Sequence, residues 1–255
     1  SCEQAQALTR RLRSLVFAEN VHVTDDLLDI ICTSAPNLQR LSIMNSFVTI
    51  SLKPLTQLQQ LQQLELYGCV TFDGLNGMDV TDDQMPTDAK FLPSLQGLSL
   101  SLSVSGSEET LSVSSDPDTE SESDNPEETY SYDLTPLFDF LGTASSLRDF
   151  SIQTDRGDDL AGILQRVPSR LESLRFDARH VGDPCDMSEM RRLKALTFLC
   201  LKNVNLCSGE ACNWIFSCPV LTRVQLELCI LDDAVWRDLT VWRSEDPARR
   251  AFVVV

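Results

Sequence analysis

The chain has 255 residues, enough to bury a substantial core or to stack as repeats, and its hydrophobic content of 42% is ordinary for a globular protein. Its 38 acidic against 21 basic residues give a formal charge of −17, which repels phosphate backbones and anionic lipid surfaces, so neither nucleic acid nor a membrane is an expected partner. No apolar run approaches the ~18 residues that span a bilayer, and Ser1 to Gln6 lack the charged head and apolar stretch of a secretory signal; with no initiator Met and a repeat close to its start, the chain reads as a segment of something longer.

A single motif, Leu-x-x-Leu-x-apolar with conservative swaps, begins at Leu12, Leu38, Leu61, Leu95, Leu147, Leu171, Leu196 and Leu221. Five of the seven spacings lie between 23 and 26 residues, inside the roughly 20–29 residue period of leucine-rich repeats. The other two, 34 and 52, each fit one repeat plus an insertion.

In the first unit, Leu12 to Phe17 reads as a strand, with Asn20 at the ninth position of the motif. Thr24, in Val23-Thr24-Asp25-Asp26, is a helix N-cap; Leu27, Leu28, Ile30 and Ile31 then form an amphipathic stretch that Pro36 ends. The strands at Leu38 and Leu61 follow, the latter with Cys69 at the ninth position. Val80-Thr81-Asp82-Asp83 repeats the first cap, again 14 residues ahead of the next motif, at Leu95. Thr135-Pro136 pairs a cap with proline at the first helical position. Asp158, Ser208 and Asp232 are the equivalent caps in the units that begin at Leu147, Leu196 and Leu221. Each unit is thus strand, turn, helix and return, and residues 251–255 either complete a ninth strand or form a truncated end. The ninth position returns to Cys at Cys229, while Ser46, Ser103, Asp155, Arg179 and Val204 occupy it elsewhere. A small polar or thiol side chain there can bond the backbone where the strand turns down.

The two long spacings place insertions near 72–78 and at 103–132. The second holds nine acids, twelve Ser or Thr and no Lys or Arg. It has little to bury and is expected to be disordered, either as a plain solvated loop or as a regulatory tract that attracts basic partners. Ser105, Ser115, Thr119 and Ser121 each precede an acid by three residues, the pattern favoured by acidophilic kinases. Limited proteolysis should cut this tract first, and its deletion should leave the melting temperature within a few degrees of the intact chain.

Cys218-Pro219-Val220-Leu221-Thr222-Arg223-Val224-Gln225-Leu226-Glu227-Leu228-Cys229-Ile230-Leu231-Asp232-Asp233 resembles the cysteine-containing leucine-rich repeats of F-box proteins and of related ribonuclease-inhibitor-like solenoids. Ser34-Ala35-Pro36-Asn37-Leu38-Gln39-Arg40-Leu41-Ser42-Ile43 resembles them nearly as well, and the likeness runs from residue 12 to about residue 242. With the repeat period, it points to an α/β leucine-rich-repeat solenoid over 1–255: a horseshoe of about eight repeats, a curved parallel sheet on the concave face and helices on the convex face. The resemblance implies the substrate-recognising part of an F-box-like ubiquitin-ligase receptor. An orphan repeat protein or a GTPase-activator-type regulator is the alternative, although no Arg or Asn is singled out for phosphoryl transfer.

Catalytic signals are lacking. His22 and His180 stand apart from any nucleophile pattern, and no phosphate loop, dinucleotide fingerprint or Gly-x-Ser-x-Gly occurs. The nine cysteines, an odd number with no Cys-x-x-Cys, suit free thiols in a reducing compartment. The spacing of Cys207, Cys212 and Cys218 fits no zinc site and, beside Trp214-Ile215-Phe216, reads as buried thiols on a core helix. No catalytic residue, cofactor, metal or small-molecule substrate is expected. Function then falls to the residues between the consensus apolars, which face the concave side. The first four units offer mostly small and polar groups there, among them Gly97, Ser99 and Ser101. The last four set Arg175, Lys202 and Arg223 around Phe198. A basic cluster with an aromatic centre on an acidic protein is the expected protein-binding site, its partner a protein with an acidic segment.

Overall fold

The computed structural model describes residues 9–18, 21, 23–44, 54–67, 92–102, 135–207 and 213–254. Both insertions, 72–78 and 103–132, lie outside the described residues, as do Asn20, His22, Cys69, Thr81, Ser208 and Cys212.

Among the described residues, nine strands form one parallel sheet in strict chain order. They are β1 (Ser14–Phe17), β2 (Arg40–Met44), β3 (Gln63–Tyr67), β4 (Gly97–Ser101), β5 (Asp149–Arg156), β6 (Ser173–His180), β7 (Phe198–Lys202), β8 (Arg223–Glu227) and β9 (Arg250–Val254). The register follows the sequence motif residue for residue. Each third position pairs with the third position of the next unit, from Ser14 with Arg40 through Phe198 with Arg223. One hydrogen-bond device recurs just ahead of the strands: the second-position carbonyl accepts both the second- and third-position N–H groups of the following unit. Arg13 O accepts from Gln39 N and Arg40 N, Glu172 O from Thr197 N and Phe198 N, and Thr197 O from Thr222 N and Arg223 N. β4 pairs directly with β5 although 52 residues separate their motifs, so the long insertion does not interrupt the sheet.

The leucines of the motif make the core. Leu38, Leu41 and Ile43 are buried to within 1% exposure, and Leu171, Leu174 and Phe176 match them. Because each unit's apolar set is buried only against its neighbours, the stack is held together pairwise along its length.

The other side of the sheet carries α1 (Asp25–Ser34), α2 (Thr135–Thr143), α3 (Asp159–Arg166), α4 (Asn213–Phe216) and α5 (Asp233–Glu245). The expectation of a helix in every unit is corrected at two places, where the return contains only a 3₁₀ turn: Pro54–Gln57 after β2 and Ser188–Arg192 after β6. The unit containing β2 has the shortest spacing, 23 residues, and carries Pro54; in the other, Gly182-Asp183-Pro184 occupies the stretch where an α-helix would begin.

Among the described residues, two of the expected caps form. Thr24 Oγ1 accepts from Leu27 N at 3.3 Å and Asp232 Oδ1 from Val235 N at 2.8 Å. Asp158 does not cap: its backbone is already helical, and its Oδ1 instead accepts a hydrogen bond from Arg156 Nε at 3.0 Å. Thr24→Ala and Asp232→Ala should therefore each lower stability by about 1 kcal/mol, and Asp158→Ala by less than either, as read from urea unfolding midpoints.

β9 adds a ninth strand to the expected eight, paired with β8 from Arg223–Arg250 to Glu227–Val254. The motif hides it because Ala248 and Ala251 stand where leucines would. Trp242 of α5, fully buried, belongs to the core against which Ala251 and Val253 pack. The fold is a leucine-rich-repeat solenoid. No helix among the described residues is long and apolar enough to cross a membrane.

Candidate functional site

Side chains at the third, fifth and seventh motif positions project from the sheet face opposite the helices and form three rows along the sheet. Toward the C-terminal end the third-position row reads Phe198, Arg223, Arg250, and the fifth reads Arg175, Cys200, Gln225, Phe252. Arg175 and Phe198 sit diagonally on adjacent strands, because Ser173 pairs with Phe198 and Arg175 with Cys200. Diagonal neighbours lie about 7–8 Å apart, within reach of long side chains.

The guanidinium carbon of Arg175 lies 5.0 Å from the Phe198 ring centre, and that of Arg223 lies 5.2 Å from the same ring. Arg223 also lies 5.4 Å from the ring of Phe252. The result is a continuous series, Arg175–Phe198–Arg223–Phe252, running from β6 to β9. Stacking engages the flat face of a guanidinium and leaves its N–H fork free for a carboxylate or phosphate. Neither arginine takes part in an ion pair among the described residues. Phe198 is half-buried, while Phe252 keeps 48% of its surface exposed.

Lys202 stands in the seventh-position row, and its ammonium is 2.9 Å from Asp177 Oδ2 on the adjacent strand. That hydrogen bond, together with the Asp177 charge, holds the Lys202 pKa above its ordinary value. Of the three expected bases, Arg175 and Arg223 are therefore the two outside any ion pair among the described residues, and Phe252 joins the cluster. Phe252 was beyond sequence reasoning because its strand carries no leucine signal.

The six described cysteines are unpaired. Cys32, Cys185 and Cys218 are buried; Cys200, Cys207 and Cys229 are half-buried. Burial, helped by Asp29, pushes the Cys32 thiol up to about 11, and burial with Asp186 pushes Cys185 up to about 12. Such thiols are protonated near neutral pH and poor nucleophiles. Alkylation of native protein at pH 7.5, read by mass spectrometry, should leave Cys32, Cys185 and Cys218 unmodified until denaturant is added. The grouping of thiols on one core helix is corrected: α4 spans four residues, Cys218 follows it in the core, Cys207 lies in the turn after β7, and Phe216 is 40% exposed. The ninth-position residues of β5 and β6, Asp155 and Arg179, form an ion pair at 3.4 Å. Among the described residues, no group of three or more His, Cys, Asp and Glu side chains is arranged to hold a metal.

No protein-family model and no curated protein sequence matches this chain. Among solved structures it is similar to an internalin (inlF) of Listeria monocytogenes, at 13% identity and a TM-score of 0.46, over 98% of this chain and 62% of that one. It is also similar to the leucine-rich repeat-containing protein LegL7 of Legionella pneumophila, at 13% identity and a TM-score of 0.38, over 95% of this chain and 83% of that one. The chain thus spans less than two thirds of the internalin's length. The fold assignment rests on this chain's own repeat and sheet register.

Proposed function

We propose that this chain is a non-catalytic protein-interaction scaffold that holds its partner on the concave face of β6–β9. The observation that carries the reading is the stacked series Arg175–Phe198–Arg223–Phe252, in which neither arginine is in an ion pair among the described residues, on a chain of net charge −17. Lys202, with its charge held by Asp177, sits at the rim. The partner this surface fits is a protein with an acidic segment and an apolar side chain to rest on Phe198. The overall acidity disfavours nucleic acid and anionic membranes, and no small-molecule substrate is invoked.

The more specific reading is the substrate-recognising region of an F-box-like ubiquitin-ligase receptor inside the cell. Support comes from the cysteine-bearing repeat, where the Cys229 thiol donates to the carbonyls of Leu201 and Glu227, each at 3.5 Å, and so ties the strand end to the preceding unit.

Cross-linking mass spectrometry of the full-length protein with a partner captured from cells tests the scaffold reading. Cross-links and protection should gather on the concave side of β6–β9; contacts confined to the helical side would overturn it. The ligase reading further requires that the captured partner's half-life lengthen when this protein is depleted.

A further inference from the structure

Gly97 occupies the third position of β4, in the middle of the exposed sheet face. A glycine inside a strand costs about 0.5–1 kcal/mol relative to alanine, so it calls for a reason. Space is not one: a Cβ there would meet nothing nearer than Gln63 Cγ at 3.5 Å, an ordinary contact. Gly157 is the contrasting case, since a Cβ at that position would meet Asn203 O at 2.8 Å. The backbone at Gly97 is not in the left-handed region either. What the missing side chain does is open a depression of about 250 Å³, floored by Gly97, Ser99 and Ser151. Its walls carry Glu65 from β3 on one side and Asp149 with Arg175 from β5 and β6 on the other.

Pockets that hold drug-sized ligands have about 300–1,000 Å³, so this one suits a single side chain. Neither Glu65 nor Asp149 is in an ion pair among the described residues. Partial desolvation and the nearby Glu172 raise the pKa of Asp149 above the usual carboxylate value, while Arg148 and Arg175 act to lower it. The one base in the wall, Arg175, has its guanidinium face turned to Phe198.

We propose that the Gly97 notch receives a basic side chain, Lys or Arg, of the same protein partner whose acidic segment lies on the Arg175–Phe198–Arg223–Phe252 series. This rests on the concave face being the binding face. The notch and the series are continuous through Arg175, which belongs to both. From Gly97 on β4 to Phe198 on β7 is three strands, about 14 Å at ~4.8 Å per strand. An extended chain covers that in about four residues at ~3.3 Å each. The partner motif is therefore a basic residue separated by about four residues from an apolar–acidic pair, crossing the strands along the face.

The test uses a library of random twelve-residue peptides displayed on phage and selected on the full chain. Selections run in parallel on wild type, Gly97→Leu, the shape-preserving double variant Glu65→Gln with Asp149→Asn, and Arg175→Glu with Arg223→Glu. The wild-type pool should be enriched in a basic residue about four positions from an acid. The basic preference should vanish on Gly97→Leu and on the Glu65/Asp149 variant while the acidic preference stays, and a wild-type-selected peptide should bind those two about tenfold more weakly. A basic preference that survives on the Glu65/Asp149 variant, or a wild-type selection that enriches no basic residue, overturns the notch. If the basic preference behaves as stated but no acid is selected, and the arginine variant gives the wild-type pool, the notch stands and the arginine–phenylalanine site fails.

Discussion

Phe176→Ala is expected to lower the unfolding free energy by about 3–5 kcal/mol, the cost of emptying a large aromatic site that cannot collapse. Phe176 is 1% exposed at the sixth motif position of β6, in register between Ile152 of β5 and Leu201 of β7. The loss removes its own transfer energy and the packing of two neighbouring units. Domains of this size hold about 5–15 kcal/mol in all, so the variant should lose about a fifth or more of its stability. Because repeats contact chiefly their neighbours, the damage should spread from the centre. Hydrogen exchange should show opening of β5–β7 before β1–β3. Phe252→Ala removes the same ring from a half-exposed site and should cost under about 1 kcal/mol, a contrast that separates core from surface phenylalanine. Urea unfolding of the two variants against wild type makes the comparison.

Much of the fold is legible in the sequence because each unit must bury leucines at fixed offsets. The first, fourth and sixth positions fix which residues face inward, and the period fixes which residue of one strand lies beside which residue of the next. That is why Phe198 falls beside Arg223, and why Arg175 stacks on Phe198 from the diagonal. The sequence leaves a ninth strand open rather than assigned, because alanines at 248 and 251 leave the inward face to Trp242, which lies outside the motif. With β9 went Phe252, the last member of the series. The pairing of Lys202 with Asp177 was within reach of an alignment by repeat position, since both are seventh-position residues of adjacent units. A tally of charge residue by residue hides it, because the neighbour that neutralises Lys202 lies 25 residues away in sequence. The notch at Gly97 is a property of the fold alone. A glycine in a strand says nothing by itself until the space around its missing Cβ is known.

Arg175, Phe198, Arg223 and Phe252 are the residues proposed to hold the partner. A half-buried aromatic between two arginines is the kind of residue that dominates interface energy, and Phe198→Ala should weaken binding by about 2 kcal/mol or more, roughly 30-fold in Kd. Arg175→Glu with Arg223→Glu reverses two charges that no carboxylate of the described residues engages as an ion pair. It should slow association, remove most of the dependence of binding on salt, and leave the fold intact because both side chains are exposed. Lys202→Met should weaken binding less than either change, since its charge is already spoken for by Asp177. The decisive measurement is the Kd of the captured partner for wild type, Phe198→Ala and the double arginine variant, at two salt concentrations, with circular dichroism confirming that each is folded. Losses of about 30-fold or more, with a flattened salt dependence for the arginine variant, are the predicted result. Folded variants that bind as wild type does, with the same response to salt, would contradict it.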